Sequence, residues 1–135
     1  MMTTENNEKP RLLIVEDDLE NQKFLHIFLK RKFTIDICDS ADSFYEKIKN
    51  NVFDIILMDI SLRGNKDGLE ITKELRMRDD NWKSIPIVGL SAHAFQRDKD
   101  NAYKAGIDAF LTKPVQNEVL MSTLVDTYQN KQNKS

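Results

Sequence analysis

Five short apolar segments, each followed by a segment with helical character, constrain the fold of this chain more than any other feature. Each segment has five or six residues and is rich in Ile, Val, Leu or Phe. Near-continuous apolar runs of this length are typical of strands that are covered on both faces, as in a parallel sheet. The five predicted strands are RLLIV (11–15), FTIDIC (33–38), FDIILM (53–58), IPIVGL (85–90) and IDAFLT (107–112).

The segments between these strands have the spacing and the end signals of helices. Phe24, Ile27 and Phe28 recur at intervals of three and four residues, and we expect Phe24 and Phe28 to lie in the core. Gly106 supplies a stop for a later helix. Parallel strands need crossover connections, which are right-handed almost without exception. The order therefore predicts a three-layer, doubly wound α/β domain with a five-stranded parallel sheet. Helices are predicted over 18–31, 40–50, 67–79, 94–105 and 115–128.

Length and charge narrow the classes of protein that remain. A chain of 135 residues suits one domain. Its 20 basic and 22 acidic residues argue against a dedicated nucleic-acid binder. The chain contains no apolar stretch of membrane-spanning length and no hydrophobic signal core, so we predict a cytoplasmic protein without a membrane partner. The predicted organisation is a disordered N-terminal tail (1–10), one domain (11–128) and a polar C-terminal tail (129–135).

Chemically active side chains follow the predicted strands at their carboxyl ends, where open parallel sheets bind ligands. Glu16 and Asp17 follow the first strand, Asp59 the third, Ser91 the fourth and Lys113 the fifth. Crowded carboxylates repel one another unless a cation lies between them, and all-oxygen ligands suit Mg²⁺ or Mn²⁺. Asp59 would then stay ionised and nucleophilic, while Lys113 and Ser91 would contact an incoming phosphoryl group.

Four motifs in this order resemble the receiver domains of two-component response regulators, over about residues 12 to 127. They are LLIVEDD with its acidic pair, DIILMD with the acceptor, PIVGLSA with a hydroxyl, and AGIDAFLTKP with a Lys-Pro step. The resemblance, which is to stand-alone receivers of the chemotaxis type, implies a flavodoxin-like sheet with strand order 2-1-3-4-5.

The resemblance also implies a role for each matching residue. Glu16 and Asp17 would hold Mg²⁺ together with Asp59 and the backbone carbonyl of Ser61. Asp59 would accept a phosphoryl group from a sensor histidine kinase or a histidine phosphotransfer protein.

The remaining matches concern the response to phosphorylation. Ser91 would turn toward the phosphoryl group, Lys113 would contact it, and Phe110 would change rotamer in step. The family's cis peptide would lie between Lys113 and Pro114.

The sequence departs from the family pattern in the segment after the acceptor. Arg63 stands where the family usually has proline, and the span from Asp59 to Gly68 is one residue longer than the commonest pattern. The path of residues 60–67, including the Ser61 carbonyl, is left open by the sequence. Ser91 replaces the commoner threonine, and Phe110 lacks the tyrosine hydroxyl often found there.

The leading hypothesis is a single-domain phosphorylation switch that is not an enzyme toward external substrates and signals through a downstream effector protein. A phosphorylation-independent adaptor on the same fold is the alternative. An FMN-binding flavodoxin-like protein is disfavoured because the chain has four glycines and no Gly-rich phosphate loop. A haloacid-dehalogenase-type phosphatase would need an aspartate at position 61, which is serine.

Overall fold

The fold is described by a computed structural model that covers residues 8–62 and 64–133. Three parts of the chain lie outside the described residues. They are residues 1–7, which make up most of the predicted N-terminal tail, position 63, where the sequence departs from the family pattern, and residues 134–135. Among the helices of residues 8–62 and 64–133, none combines the length and the apolar character that crossing a bilayer requires.

Five strands and five helices alternate along the part of the chain that the structure describes. The strands are β1 (Arg11–Val15), β2 (Thr34–Cys38), β3 (Ile55–Asp59), β4 (Ile87–Ser91) and β5 (Ala109–Thr112). The helices are α1 (Leu19–Leu29), α2 (Ala41–Lys49), α3 (Gly68–Arg76), α4 (Gln96–Ala105) and α5 (Asn117–Asn133). All neighbouring strands are parallel, in the order β2-β1-β3-β4-β5. The predicted fold class and strand order are confirmed.

Two apolar cores, one on each face of the sheet, hold the three layers together. Leu25 and Leu29 of α1 and Leu120 and Leu124 of α5 pack on one face. The opposite face is covered by α2, α3 and α4, through side chains such as Phe44, Ile48, Ile71, Leu75 and Ala102. The central strand β3 is buried along its whole length, so its residues read as a continuous apolar run up to Asp59.

Side-chain caps fix where α1, α2 and α3 begin, and these beginnings lie at the same edge of the sheet as the strand ends. The Asp18 carboxylate accepts the amide of Asn21 at the start of α1. Ser40 and Ser43 form a reciprocal capping box at α2. Asp67 and Glu70 form another at α3. Each cap satisfies backbone donors that the first helical turn leaves unpaired.

The C-terminal helix ends at Asn133, five residues past its predicted end at 128. Lys131 Nζ lies 3.3 Å from Asp108 Oδ1 and donates to the carbonyl of Ser84 at 3.1 Å. These contacts give the last turn tertiary partners, which its polar sequence alone does not reveal.

Two further predictions are wrong in detail. Helix α3 ends at Arg76 rather than 79, and a 3-10 turn at Asn81–Ser84, capped by the Asp80 carboxylate, leads into β4. Phe24, whose helical spacing favoured a core position, is 53% exposed and stacks on Phe28 with 6.5 Å between ring centroids.

Candidate functional site

Strand register brings the predicted site residues to one edge of the sheet. Val15 pairs with Met58, so Glu16 lies beside Asp59 at the ends of β1 and β3. Asp59 pairs with Leu90, and Ser91 follows at the end of β4. Ser91 in turn pairs with Thr112, and the next residue is Lys113. The carboxyl ends of the four strands therefore supply the site from positions far apart in the sequence.

Three carboxylates meet at this edge. One oxygen from each of Glu16, Asp17 and Asp59 lies within 4.8 Å of the others. Glu16 and Asp59 are only 2% and 4% exposed, whereas Asp17 is half-buried. Closely spaced carboxylate oxygens are the donors that hard divalent cations prefer, so the residues present fit a Mg²⁺ or Mn²⁺ ion.

Lys113 brings a positive charge to the site. Its Nζ lies 3.4 Å from Asp59 Oδ2 and 3.5 Å from Glu16 Oε1, so one ammonium bridges both buried carboxylates. The Lys113 amide donates to the carbonyl of Ser91 at 2.8 Å, which holds the start of the β5–α5 connection against β4. The Lys113–Pro114 peptide is cis, as the resemblance implied.

Burial raises the pKa of the Glu16 carboxyl above its ordinary value of 4.5. The amide of Asp18 donates to Glu16 Oε2 at 3.0 Å and opposes that rise. The negative charges of Asp59 and Asp17 raise the pKa further, and the ammonium of Lys113 lowers it. The ionised form of Glu16 is therefore less favourable in this pocket than in water when no cation is bound.

Asp59 is fixed from both sides of its strand end. The Ser61 amide donates to Asp59 Oδ1 at 2.9 Å, while the other oxygen faces Lys113. Behind it, Gly68 begins α3 so close to β3 that a Cβ there would lie 2.4 Å from the Asp59 carbonyl oxygen. Glycine at position 68 is thus required by the close approach of the helix to the acceptor strand. The Ser61 carbonyl as a metal ligand stays a prediction.

Ser91 and Phe110 lie on the neighbouring strands β4 and β5, two positions apart in the register. Ser91 is 2% exposed, and its Oγ accepts the amide of His93 at 3.0 Å. The His93 residue itself is exposed at the edge of the site. Phe110, which pairs with Gly89 in the sheet, is half-buried and packs against the core under α2, α3 and α4. The roles of Ser91, Phe110 and Pro114 in switching stay predictions.

Two groups of contacts around the site were not foreseen from the sequence. The side-chain amide of Gln22 donates to the Glu16 carbonyl at 2.6 Å. Lys66, in the segment after the acceptor, pairs with Glu74, which also accepts the Tyr45 hydroxyl. The Lys66 ammonium lies 5.5 Å from the centroid of the Tyr45 ring. The residue types gave no signal for either group, because both depend on which helix turn faces which loop.

Comparison with protein families gives one match over most of the chain. The family model for the response regulator receiver domain matches residues 12–125. The chain is 36% identical over 121 residues to hybrid signal transduction histidine kinase I of Dictyostelium discoideum, which covers 84% of this chain. It is 32% identical over 130 residues to response regulator mcs4 of Schizosaccharomyces pombe, which covers 77%. The chain spans 7% of the length of the first relative and 25% of the second.

A solved structure resembles both the fold and the sequence. It is the receiver domain of a sensor histidine kinase from Pseudomonas aeruginosa PAO1, solved with a magnesium ion coordinated in its active site cleft. The two chains are 28% identical with a TM-score of 0.79, over 90% of this chain and 98% of the other. The acidic cluster of Glu16, Asp17 and Asp59 thus resembles a receiver magnesium site.

Proposed function

The chain belongs to the response regulator receiver domain family of two-component systems, and from that premise we propose that Asp59 accepts a phosphoryl group from a phosphohistidine. The observation that carries the proposal is the contact of Lys113 Nζ with Asp59 Oδ2 at 3.4 Å inside a cluster of three carboxylates. The donor would be a sensor histidine kinase or a histidine phosphotransfer protein. An effector protein would then recognise the phosphorylated form.

The chemical step is an in-line displacement at phosphorus. An Asp59 carboxylate oxygen forms the new P–O bond as the P–N bond to the donor histidine breaks, and the histidine nitrogen keeps the electron pair of that bond. The Ser61 amide and the Lys113 ammonium hold the two Asp59 oxygens in place, so the nucleophile is oriented before the donor arrives. The receiver would therefore assist its own modification without acting as an enzyme on other substrates.

Charge around the reacting phosphorus would be balanced mainly by two groups. Lys113 acts as a point charge toward the equatorial phosphoryl oxygens, where negative charge is spread in the transition state. Glu16, Asp17 and Asp59, with the Ser61 carbonyl, would hold Mg²⁺. When bound, that ion neutralises charge on both the carboxylates and the phosphoryl oxygens.

The response would begin at Ser91. Its Oγ accepts the His93 amide in this structure, so turning the hydroxyl toward a phosphoryl group on Asp59 breaks that contact and frees the β4–α4 connection to move. Phe110, on the adjoining strand, would repack into the space that Ser91 leaves. Moving such a switch from mostly off to mostly on requires about 5.5 kcal/mol of differential stabilisation. The effector would recognise the altered surface of α4, β5 and α5.

Incubation with acetyl phosphate tests the proposal without a partner protein. Intact-mass measurement should show one added phosphoryl group in the presence of Mg²⁺, and none when the metal is chelated with EDTA. Asp59→Asn, which keeps the shape of the side chain but is not a carboxylate nucleophile, is the matched control. An unchanged wild-type mass would favour the phosphorylation-independent adaptor, and equal labelling of the Asp59→Asn variant would refute Asp59 as the acceptor.

A further inference from the structure

Gln22 reaches back from α1 to the loop that carries the acidic pair. It is the fourth residue of the helix and is half-buried. Its Nε2 donates to the backbone carbonyl oxygen of Glu16 at 2.6 Å. The proposed phosphoryl transfer makes no direct use of this amide, so the contact needs its own explanation.

Three consecutive contacts fix the backbone of the acidic loop. The Glu16 amide donates to the carbonyl of Cys38 at 3.0 Å, which ties the loop to β2. Gln22 holds the next peptide group, the one that joins Glu16 to Asp17. The Asp18 amide donates to Glu16 Oε2 at 3.0 Å, and Asp18 then caps α1. Of these contacts, the Gln22 bond alone comes from a side chain further along the helix.

The orientation of the peptide between Glu16 and Asp17 decides where both carboxylates point. A peptide group is planar, so fixing its carbonyl oxygen fixes the backbone torsions on either side of it. These are ψ of Glu16 and φ of Asp17, which set the directions in which the two side chains leave the chain. Without a partner for its carbonyl, this peptide would be free to rotate toward water. The carboxylates of Glu16 and Asp17 would then no longer be held toward the same point.

We infer that Gln22 is a positioning residue for the divalent cation, acting through the Glu16–Asp17 peptide rather than touching the ion. The inference deepens the proposed function and rests on its metal site. Glutamine suits this task because an amide donates a hydrogen bond without adding charge. A lysine or arginine at position 22 would bring a cation to the acidic loop, where it would compete with the ion for the same carboxylates.

The expected effect follows from the size of one hydrogen bond. A neutral side-chain-to-backbone bond contributes about 1 kcal/mol, so its loss should weaken binding of the cation by about threefold to tenfold. Groups that bond directly to a metal ligand's side chain typically cost about 10- to 100-fold when removed. A backbone-mediated effect should lie at or below the lower end of that range.

The test measures metal affinity directly, with the full chain and without any phosphoryl donor. Electron paramagnetic resonance of free Mn²⁺ reports the bound fraction, and Mg²⁺ is then titrated as a competitor. Two variants remove the contact in different ways: Gln22→Met loses the donor at similar length, and Gln22→Asn keeps an amide that is one methylene too short. Gln129→Met, on the exposed side of α5, makes the same chemical change far from the site.

We expect both Gln22 variants to bind Mn²⁺ threefold to tenfold more weakly than the wild type and Gln129→Met to match the wild type. Thermal midpoints without metal should fall by no more than the few degrees that one hydrogen bond accounts for in the Gln22 variants, while the stabilisation by added Mn²⁺ should shrink for the Gln22 variants alone. Wild-type affinity in either Gln22 variant would overturn the inference. Weaker binding by a variant that is already partly unfolded without metal at the assay temperature would overturn it as well. Failure of the wild type to bind Mn²⁺ would instead refute the proposed metal site itself.

Discussion

Lys113 Nζ lies 3.4 Å from Asp59 Oδ2, although 54 residues separate the two in the sequence. The same ammonium is 3.5 Å from Glu16 Oε1. One partly exposed cation therefore offsets the charge of two carboxylates that the sheet buries almost completely. This arrangement sets a positive charge against the proposed acceptor in a pocket that excludes most water.

Removing that ammonium should slow phosphorylation more than it harms the fold. In Lys113→Met, the transition state loses its point charge, and we expect the rate of acetyl phosphate labelling to fall by about 10²-fold. The rate is measured at saturating Mg²⁺ by quenching the reaction at successive times and determining the intact mass of each sample. Lys104→Met, an exposed substitution on α4, should label at the wild-type rate. A Lys113→Met rate within a factor of about two of wild type would contradict the assigned role.

The raised pKa of Glu16 predicts a pH dependence of stability in the metal-free protein. Because the folded-state pKa lies above the unfolded value of 4.5, the native state binds more protons between the two values. The contribution of Glu16 to the free energy of unfolding is then fully present below pH 4.5 and is lost as pH rises through the pKa of the folded state. The side chain at position 16 stays uncharged at every pH in Glu16→Gln. The free energy of unfolding of this variant should therefore increase relative to that of the wild type as pH rises.

Urea unfolding in the presence of EDTA, repeated from pH 4.5 upward, measures this difference. Asp17, Asp59 and Lys113 are the charged groups that act on Glu16, and all three remain in the variant. Parallel stability curves for Glu16→Gln and wild type would show that Glu16 ionises in the folded protein as it does in water.

Ser91→Ala should separate acceptance of the phosphoryl group from the response to it. The acceptor and Lys113 remain, so we expect labelling to persist with a rate reduced by less than about tenfold. The variant lacks the hydroxyl that would exchange the His93 amide for the phosphoryl group. Amide chemical shifts of residues 92–96 and of Phe110 should therefore change less on addition of beryllofluoride and Mg²⁺ than in wild type. Equal shift changes in the two proteins would remove Ser91 from the switch.

Two arginines close together in the sequence should differ sharply in their effect on stability. Arg76 pairs with Asp108 at 3.1 Å, with side chains 18% and 23% exposed, and its Nε donates to the Gly106 carbonyl at 2.8 Å. Arg76→Met removes the guanidinium that donates to the half-buried Gly106 carbonyl and pairs with Asp108. Asp108 keeps Lys131 and the Ile87 amide as partners, so the variant should lower the free energy of unfolding by about 1–3 kcal/mol. Arg78 pairs with Asp80 in solvent, so Arg78→Met should unfold at the wild-type urea midpoint. Similar losses in both variants would show that burial does not set the difference.

The sequence predicted which side chains of the site lie together, because residues that follow parallel strands share one edge of the sheet. Each of the five apolar runs became a strand, and a residue that follows a parallel strand must lie at one edge. Asp59 shows how tolerant that rule is to small errors. The third strand was predicted to end at residue 58, whereas Asp59 is its last residue. An error of one residue at a strand end leaves the site intact.

Features that depend on side-chain reach could not be predicted in the same way. Gln22 and Lys66 are polar residues of common type, and their partners lie on backbone or on another helix. The last turn of α5, which ends at Asn133, is held by contacts of Lys131 with Asp108 and with the carbonyl of Ser84. Periodicity records which face of a helix is apolar, but it carries no information about such specific polar pairs.

The most direct test of the central claim locates the phosphoryl group chemically. Wild-type protein is treated with acetyl phosphate and Mg²⁺ and then with sodium borohydride, which reduces an aspartyl phosphate to homoserine. Peptide mapping should find homoserine at position 59, dependent on both acetyl phosphate and Mg²⁺. Homoserine at another aspartate, or unmodified Asp59 in protein whose intact mass shows labelling, would contradict the account.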